Sequence, residues 1–185
     1  MSLLLEAIKA GAFALAVHKE DVGAEFAEAK RAQLTAVAEA IEPSARTQKI
    51  ARPTEWAALV LIIGNAESGF SLRIGRGECK PQECDRGRAR GPFQLHNYAE
   101  ARPVWDQMHG LEYIGLQVRV ASARLQRGYY TCRGGADWFI ATVNGFAGRK
   151  CSDIWPGLEA RYATYRKLVR VIDNELARLK KEAQS

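Results

Sequence analysis

The sequence predicts a mainly α-helical protein, and three observations carry that expectation. Apolar residues recur at helical spacing along Leu158, Tyr162, Tyr165, Leu168, Val169, Ile172, Leu176 and Leu179, forming one stripe of a long amphipathic helix. The run from Trp56 to Ile63 is apolar on every face, which places its helix in the middle of a core. Helical spacing also recurs between Leu3 and Val17 and along Val22, Phe26, Leu34, Val37 and Ile41. A chain of 185 residues with 47% hydrophobic and 26% charged residues has the size of one domain, or one domain with a small appendage. Its composition excludes wholesale disorder.

In chain order, the first helix is expected from Leu3 to Val17, with Gly11 as its weak point. Asp21 is a candidate N-cap for the second, which Pro43 and Ser44 end. The basic, polar stretch from Ala45 to Arg52 marks a boundary between a helical extension over residues 1–50 and a main domain over 51–185. Pro53 and Thr54 open the central helix, and Gly64 weakens its far end. Asn65, Glu67 and Ser68 therefore fall where that helix comes to the surface. Ser71 to Gly91 has no apolar periodicity and reads as a long loop or short irregular hairpin, a length that is often functional. Helices are expected from near Asn97, from Leu111 to Arg127 with Leu111, Ile114, Val118 and Leu125 on one side, and from Ala136 to Val143. The charged tail of the last helix, Ala177 to Ser185, is expected to fray.

The 27 basic against 21 acidic residues give a net charge of +6, which favours an anionic partner. Lys and Arg do not gather on a recognition helix, so nucleic acid is not expected. No run reaches the ~20 apolar residues that span a bilayer. The segment from Met1 to Val17 lacks the basic start and the cleavage site of a signal peptide, and Glu6 and Lys9 interrupt it. It is read as part of the folded protein, so a protein acting outside the cytoplasm would leave by another route or by lysis. His18, His96 and His109 are scattered, and neither a metal nor another cofactor is expected. The four cysteines lie in two local pairs, Cys79 with Cys84 and Cys132 with Cys151, without the spacing of common zinc sites. Two disulfides are the preferred reading over four reduced thiols. The Cys132–Cys151 loop would contribute on the order of 3 kcal/mol and the shorter loop less.

Three segments carry chemistry. Glu67 ends an all-apolar helix, where partial desolvation disfavours its charged form and makes it a candidate proton donor, although a surface Glu in a helix-ending turn has the same pattern. In Gly91-Pro92-Phe93-Gln94, glycine permits close backbone approach, proline stiffens the turn and the amide offers donors and an acceptor to a polar ligand. In Val143-Asn144-Gly145-Phe146-Ala147-Gly148, a helix stops at Asn-Gly. Taken singly, Gln94 reads as a buried amide and Asn144 as a helix cap.

In this order, Glu67-Ser68-Gly69-Phe70, Gly91-Pro92-Phe93-Gln94 and Asn144-Gly145-Phe146-Ala147-Gly148 resemble the soluble lytic transglycosylase family and its goose-type lysozyme relatives. The resemblance spans Trp56 to Gly148 and implies a lysozyme-like domain behind the N-terminal extension. It implies cleavage of the β-1,4 bond between N-acetylmuramic acid and N-acetylglucosamine in peptidoglycan, with Glu67 as general acid and then base, giving 1,6-anhydro products. Ser68, Phe70, Gly91, Phe93, Gln94, Tyr98, Tyr129, Tyr130 and Asn144 are the candidate substrate-binding residues, the aromatics as sugar platforms and the amides as hydrogen-bonding groups. The sequence departs from the family at Val143, where the family has an aromatic residue reaching toward the carboxylate. Tyr98, Tyr129 or Tyr130 are candidates to replace it.

Two rival functions stand beside this one. A muramidase or chitinase-like hydrolase of the inverting kind needs a second carboxylate about 6.5–9.5 Å from the acid, and Glu78, Glu83 and Asp85 are the nearest in sequence. A non-catalytic wall-binding protein or a structural part of a phage or secretion machine is the rival from another class. The expected site of action is the periplasm or cell wall, with a phage-encoded or specially exported monomer as the source.

Overall fold

A computed structural model describes residues 2–15, 23–82, 84–97, 100–108, 110–132 and 137–185. Among these residues seven α-helices run in the order α1 (Leu3–Phe13), α2 (Ala24–Thr47), α3 (Pro53–Ser68), α4 (Leu72–Gly75), α5 (Ile114–Cys132), α6 (Trp138–Phe146) and α7 (Pro156–Glu182). Short 3₁₀ turns cover Arg102–Gln107 and Leu111–Tyr113. Among the described residues there is no strand, only one antiparallel bridge between Arg90 and Leu95. The protein is mainly α.

The central helix is where the sequence places it. Pro53 occupies the first turn of α3, where its missing N–H costs nothing, and the Glu55 carboxylate accepts from the Arg52 N–H at 3.0 Å. From Trp56 to Gly64 every residue of α3 is buried. Helices α1, α2, α5 and α7 pack around it. Each large apolar side chain removed from water contributes about 1.5–3 kcal/mol to that arrangement.

The first two helices belong to the same core. Leu4, Ala7, Ile8 and Ala12 of α1 and Leu34, Val37, Ile41 and Ala45 of α2 join Trp56, Leu61, Leu125, Phe139 and Ile172 in one apolar cluster. A division at residue 50 therefore does not separate two cores. The polar stretch before Pro53 covers the last turn of α2 and the turn between α2 and α3.

Several boundaries differ from expectation. Asp21 and Val22 lie outside the described residues, and Gly23 stands at the N-cap of α2. Pro43 does not end α2 but sits inside it. Burial of Ile41 before the proline and Ala45 beyond it outweighs the lost backbone donor, and the Thr47 hydroxyl donates to the Pro43 carbonyl at 2.9 Å. The helix expected near Asn97 is a 3₁₀ turn beginning at Arg102. Helix α5 starts at Ile114 and continues to Cys132, five residues past Arg127, while α6 starts at Trp138 behind an Asp137 cap whose carboxylate accepts from Phe139 N at 2.8 Å. The charged tail stays helical to Glu182, where Arg178 bridges Glu175 and Glu182 on one face.

The cysteines form two disulfides, Cys79–Cys84 and Cys132–Cys151. The second ties the end of α5 to the loop that leads into α7.

Candidate active site

The site is built on the last turn of α3. Gly69 adopts a left-handed conformation (φ 59°, ψ 20°) and its N–H donates to Asn65 O at 2.7 Å, closing the helix. Phe70 is also left-handed, at φ 50°, so the chain reverses and returns its ring to the core. That ring is 1% exposed, meets Phe93 edge-on at 6.0 Å, and lies so close to Gly64 that a Cβ there would stand 2.4 Å from it. Lys30 of α2, itself 5% exposed, donates from its ammonium to the carbonyls of Gly69 and Phe70. A cation at the carbonyl end of a helix compensates both the dipole and its own loss of water. Nothing in the sequence links Lys30 to Glu67 except the helical face it shares with Leu34 and Val37.

The second segment is clipped onto the first. Arg90 and Leu95 exchange backbone hydrogen bonds at 2.8 and 3.0 Å around the turn Gly91–Gln94. The Ser68 hydroxyl donates to Pro92 O at 2.8 Å and accepts from Phe70 N at 3.1 Å. Gly91 has φ +65°, and a Cβ there would fall 2.1 Å from the Gln117 amide oxygen, so any other residue would be strained and would displace that amide. Gln94 is half-buried and donates to Gly91 O at 3.1 Å and toward the Cys84 sulfur at 3.6 Å.

Glu67, Gln94, Asp85, His96, Gln82 and Phe146 line one open cleft of about 430 Å³, with Ala89 and Ala147 completing its wall. The structure thus brings together the first two segments and the end of the third. Asp85 reaches Arg88 at 3.2 Å and the His96 ring at 3.8 Å. Glu78 does not line this cleft, and Glu83 lies outside the described residues.

The surroundings of Glu67 are not simply apolar, as its place at the end of α3 suggests. Its side chain keeps 25% of its exposure, and its Oε1 forms an ion pair with Nη2 of Arg161 at 2.9 Å. Arg161 comes from the first turns of α7, 94 residues away. Its guanidinium lies 5.2 Å from the Trp155 ring, which Arg149 approaches at 4.5 Å. The Trp155 indole N–H donates to the Asn144 amide oxygen at 3.0 Å. Val143 is fully buried and has no polar atom to offer the carboxylate, whereas Arg161 touches it directly.

Other expected binding residues have different work. Asn144 is fully buried and donates to the carbonyls of Cys151 and Asp153 at 3.2 and 2.9 Å, so its amide holds the loop before α7 instead of facing a ligand. Phe70 and Phe93 are core residues at 1% and 0% exposure and offer no face to a sugar. Ser68 and Gly91 build the scaffold beneath the cleft. Tyr129 and Tyr130 meet each other edge-on at 5.3 Å near the end of α5 and do not line the cleft. Tyr98, His18 and His109 lie outside the described residues.

Comparison of the chain with protein-family models, with curated proteins and with solved structures finds no match.

Proposed function

We propose that this protein cleaves the glycan strands of peptidoglycan as a lytic transglycosylase of lysozyme-like architecture. The observation that supports this reading most is the shared cleft: Glu67 and Gln94, from separate motifs of one family pattern, line the same cavity. Glu67 protonates the glycosidic oxygen as the bond to C1 breaks. The same carboxylate then takes the proton of the muramic C6 hydroxyl, whose oxygen attacks C1 and forms the 1,6-anhydro ring. The Arg161 ion pair at Oε1 must part before that oxygen can donate a proton. No second carboxylate or cofactor enters this sequence of steps.

Asp85 favours a second reading. It lines the cleft with Glu67, and a carboxylate across the cleft from the acid is what an inverting muramidase or chitinase-like hydrolase uses to activate water. Mass spectrometry of digested peptidoglycan separates the two, because only the transglycosylase leaves anhydromuropeptides and the hydrolase leaves reducing ends. A wall-binding protein without activity yields neither product. The positive net charge of +6 suits long-range attraction to the anionic bacterial envelope, in the periplasm or at the wall, by a monomer. No helix among the described residues is long and apolar enough to cross a membrane.

A further inference from the structure

Around Trp155 two guanidiniums gather, and among the described residues one carboxylate answers them. Arg161 spends one nitrogen on Glu67, and its other terminal nitrogen, Nη1, is buried without a hydrogen-bond partner among the described residues. Arg149 is exposed, follows the cleft-wall residue Ala147 by two positions, and has no carboxylate partner among the described residues. Both approach the same indole, at 5.2 and 4.5 Å. That indole is fixed in turn by Asn144, and Asn144 by a loop that the Cys132–Cys151 disulfide secures. The result is a positively charged corner that meets the cleft at Glu67 without itself forming the cleft wall. A buried guanidinium nitrogen left unpaired is costly, and a planar carboxylate is the group that matches its fork.

We propose that Arg149 and Arg161 form a subsite for a carboxylate carried by the glycan strand, and that filling it draws Arg161 off Glu67. The inference rests on the glycan-cleaving reading above. It makes the cleft selective for anionic strands, such as those bearing peptide or lactyl carboxylates, over neutral polymers of N-acetylglucosamine. It also couples occupancy to chemistry, since the ligand and Glu67 compete for one guanidinium and only an occupied cleft frees the acid.

Competition of this kind is measurable without turnover. The test is titration calorimetry of wild type, Glu67→Gln, Arg149→Met and the double variant Glu67→Gln/Arg161→Met with two probes, muramyl dipeptide and neutral tri-N-acetylchitotriose. Glu67→Gln should bind muramyl dipeptide about tenfold more tightly, the low end of what releasing one close charge pair is worth, and chitotriose unchanged. Adding Arg161→Met should cancel the gain, and Arg149→Met, on an exposed side chain that the fold does not need, should weaken muramyl dipeptide alone. Equal changes for both probes, a gain that survives Arg161→Met, or no binding of muramyl dipeptide to any variant would overturn the subsite. Clearing of a peptidoglycan gel by the wild type alongside such a result leaves the cleavage reading intact, whereas absence of clearing removes that reading itself.

Discussion

Ser68 shows how a residue beside the candidate acid acts without touching substrate. Its buried hydroxyl joins the Phe70 N–H to the Pro92 carbonyl, holding the α3 terminus and the Gly91–Gln94 turn in register. Ser68→Ala leaves both partners unsatisfied and should lower stability by about 1–3 kcal/mol, read as a lower denaturant midpoint at constant slope. An unchanged midpoint would show that the clip carries no energy. Gly64→Ala should cost a similar ~1–3 kcal/mol, because the new methyl collides with the Phe70 ring. At this scale the sequence revealed residue types better than roles. Glu67 and Gln94, from two of the motifs, line one cleft together with Asp85, but the directions of Phe70, Phe93 and Asn144 depend on left-handed backbone and long-range partners. Arg161 and Lys30 were illegible because no local pattern ties α7 or α2 to the end of α3.

Among the elements, α3 and α7 were the most legible, since an all-apolar run and a long single stripe each have one physical solution. Helix α2 was misread at Pro43 because packing beyond the proline is a tertiary effect. Two carboxylates that join elements give the fold an acid sensitivity. A hydrogen bond from the Ser2 hydroxyl, joined by Arg46, holds Glu42 of α2 below its usual range and links it to the start of α1. Burial is the largest influence on the Glu100 carboxyl and raises it, but the 2.9 Å bond to Arg127 of α5, a backbone hydrogen bond and the charges of Arg127 and Arg124 together bring it below the ordinary value of 4.5. Groups whose folded values are lowered contribute stability that is complete above their unfolded value and is lost as pH falls through the folded one. Thermal midpoints should therefore decline as pH drops below about 4.5. Replacing Glu42 and Glu100 by glutamine should flatten that decline, and an equally steep decline in the double variant would assign it to other groups.

For the whole molecule, one apolar cluster runs from Leu4 to Ile172, and the Lys30 ammonium of α2 braces the turn that carries Glu67. A chain lacking residues 1–50 should consequently lose its cooperative thermal transition, because α3 would expose two of its packed faces. A shortened chain that melts cooperatively and keeps its activity would restore the separable extension that the polar stretch before Pro53 suggests. The central claim remains the acid chemistry of Glu67. Its most direct test is a peptidoglycan gel loaded with renatured wild type beside Glu67→Gln, both with matched circular dichroism. The account predicts clearing by the wild type and a loss of about 10²–10⁴-fold in the variant, while equal clearing by the two would contradict it.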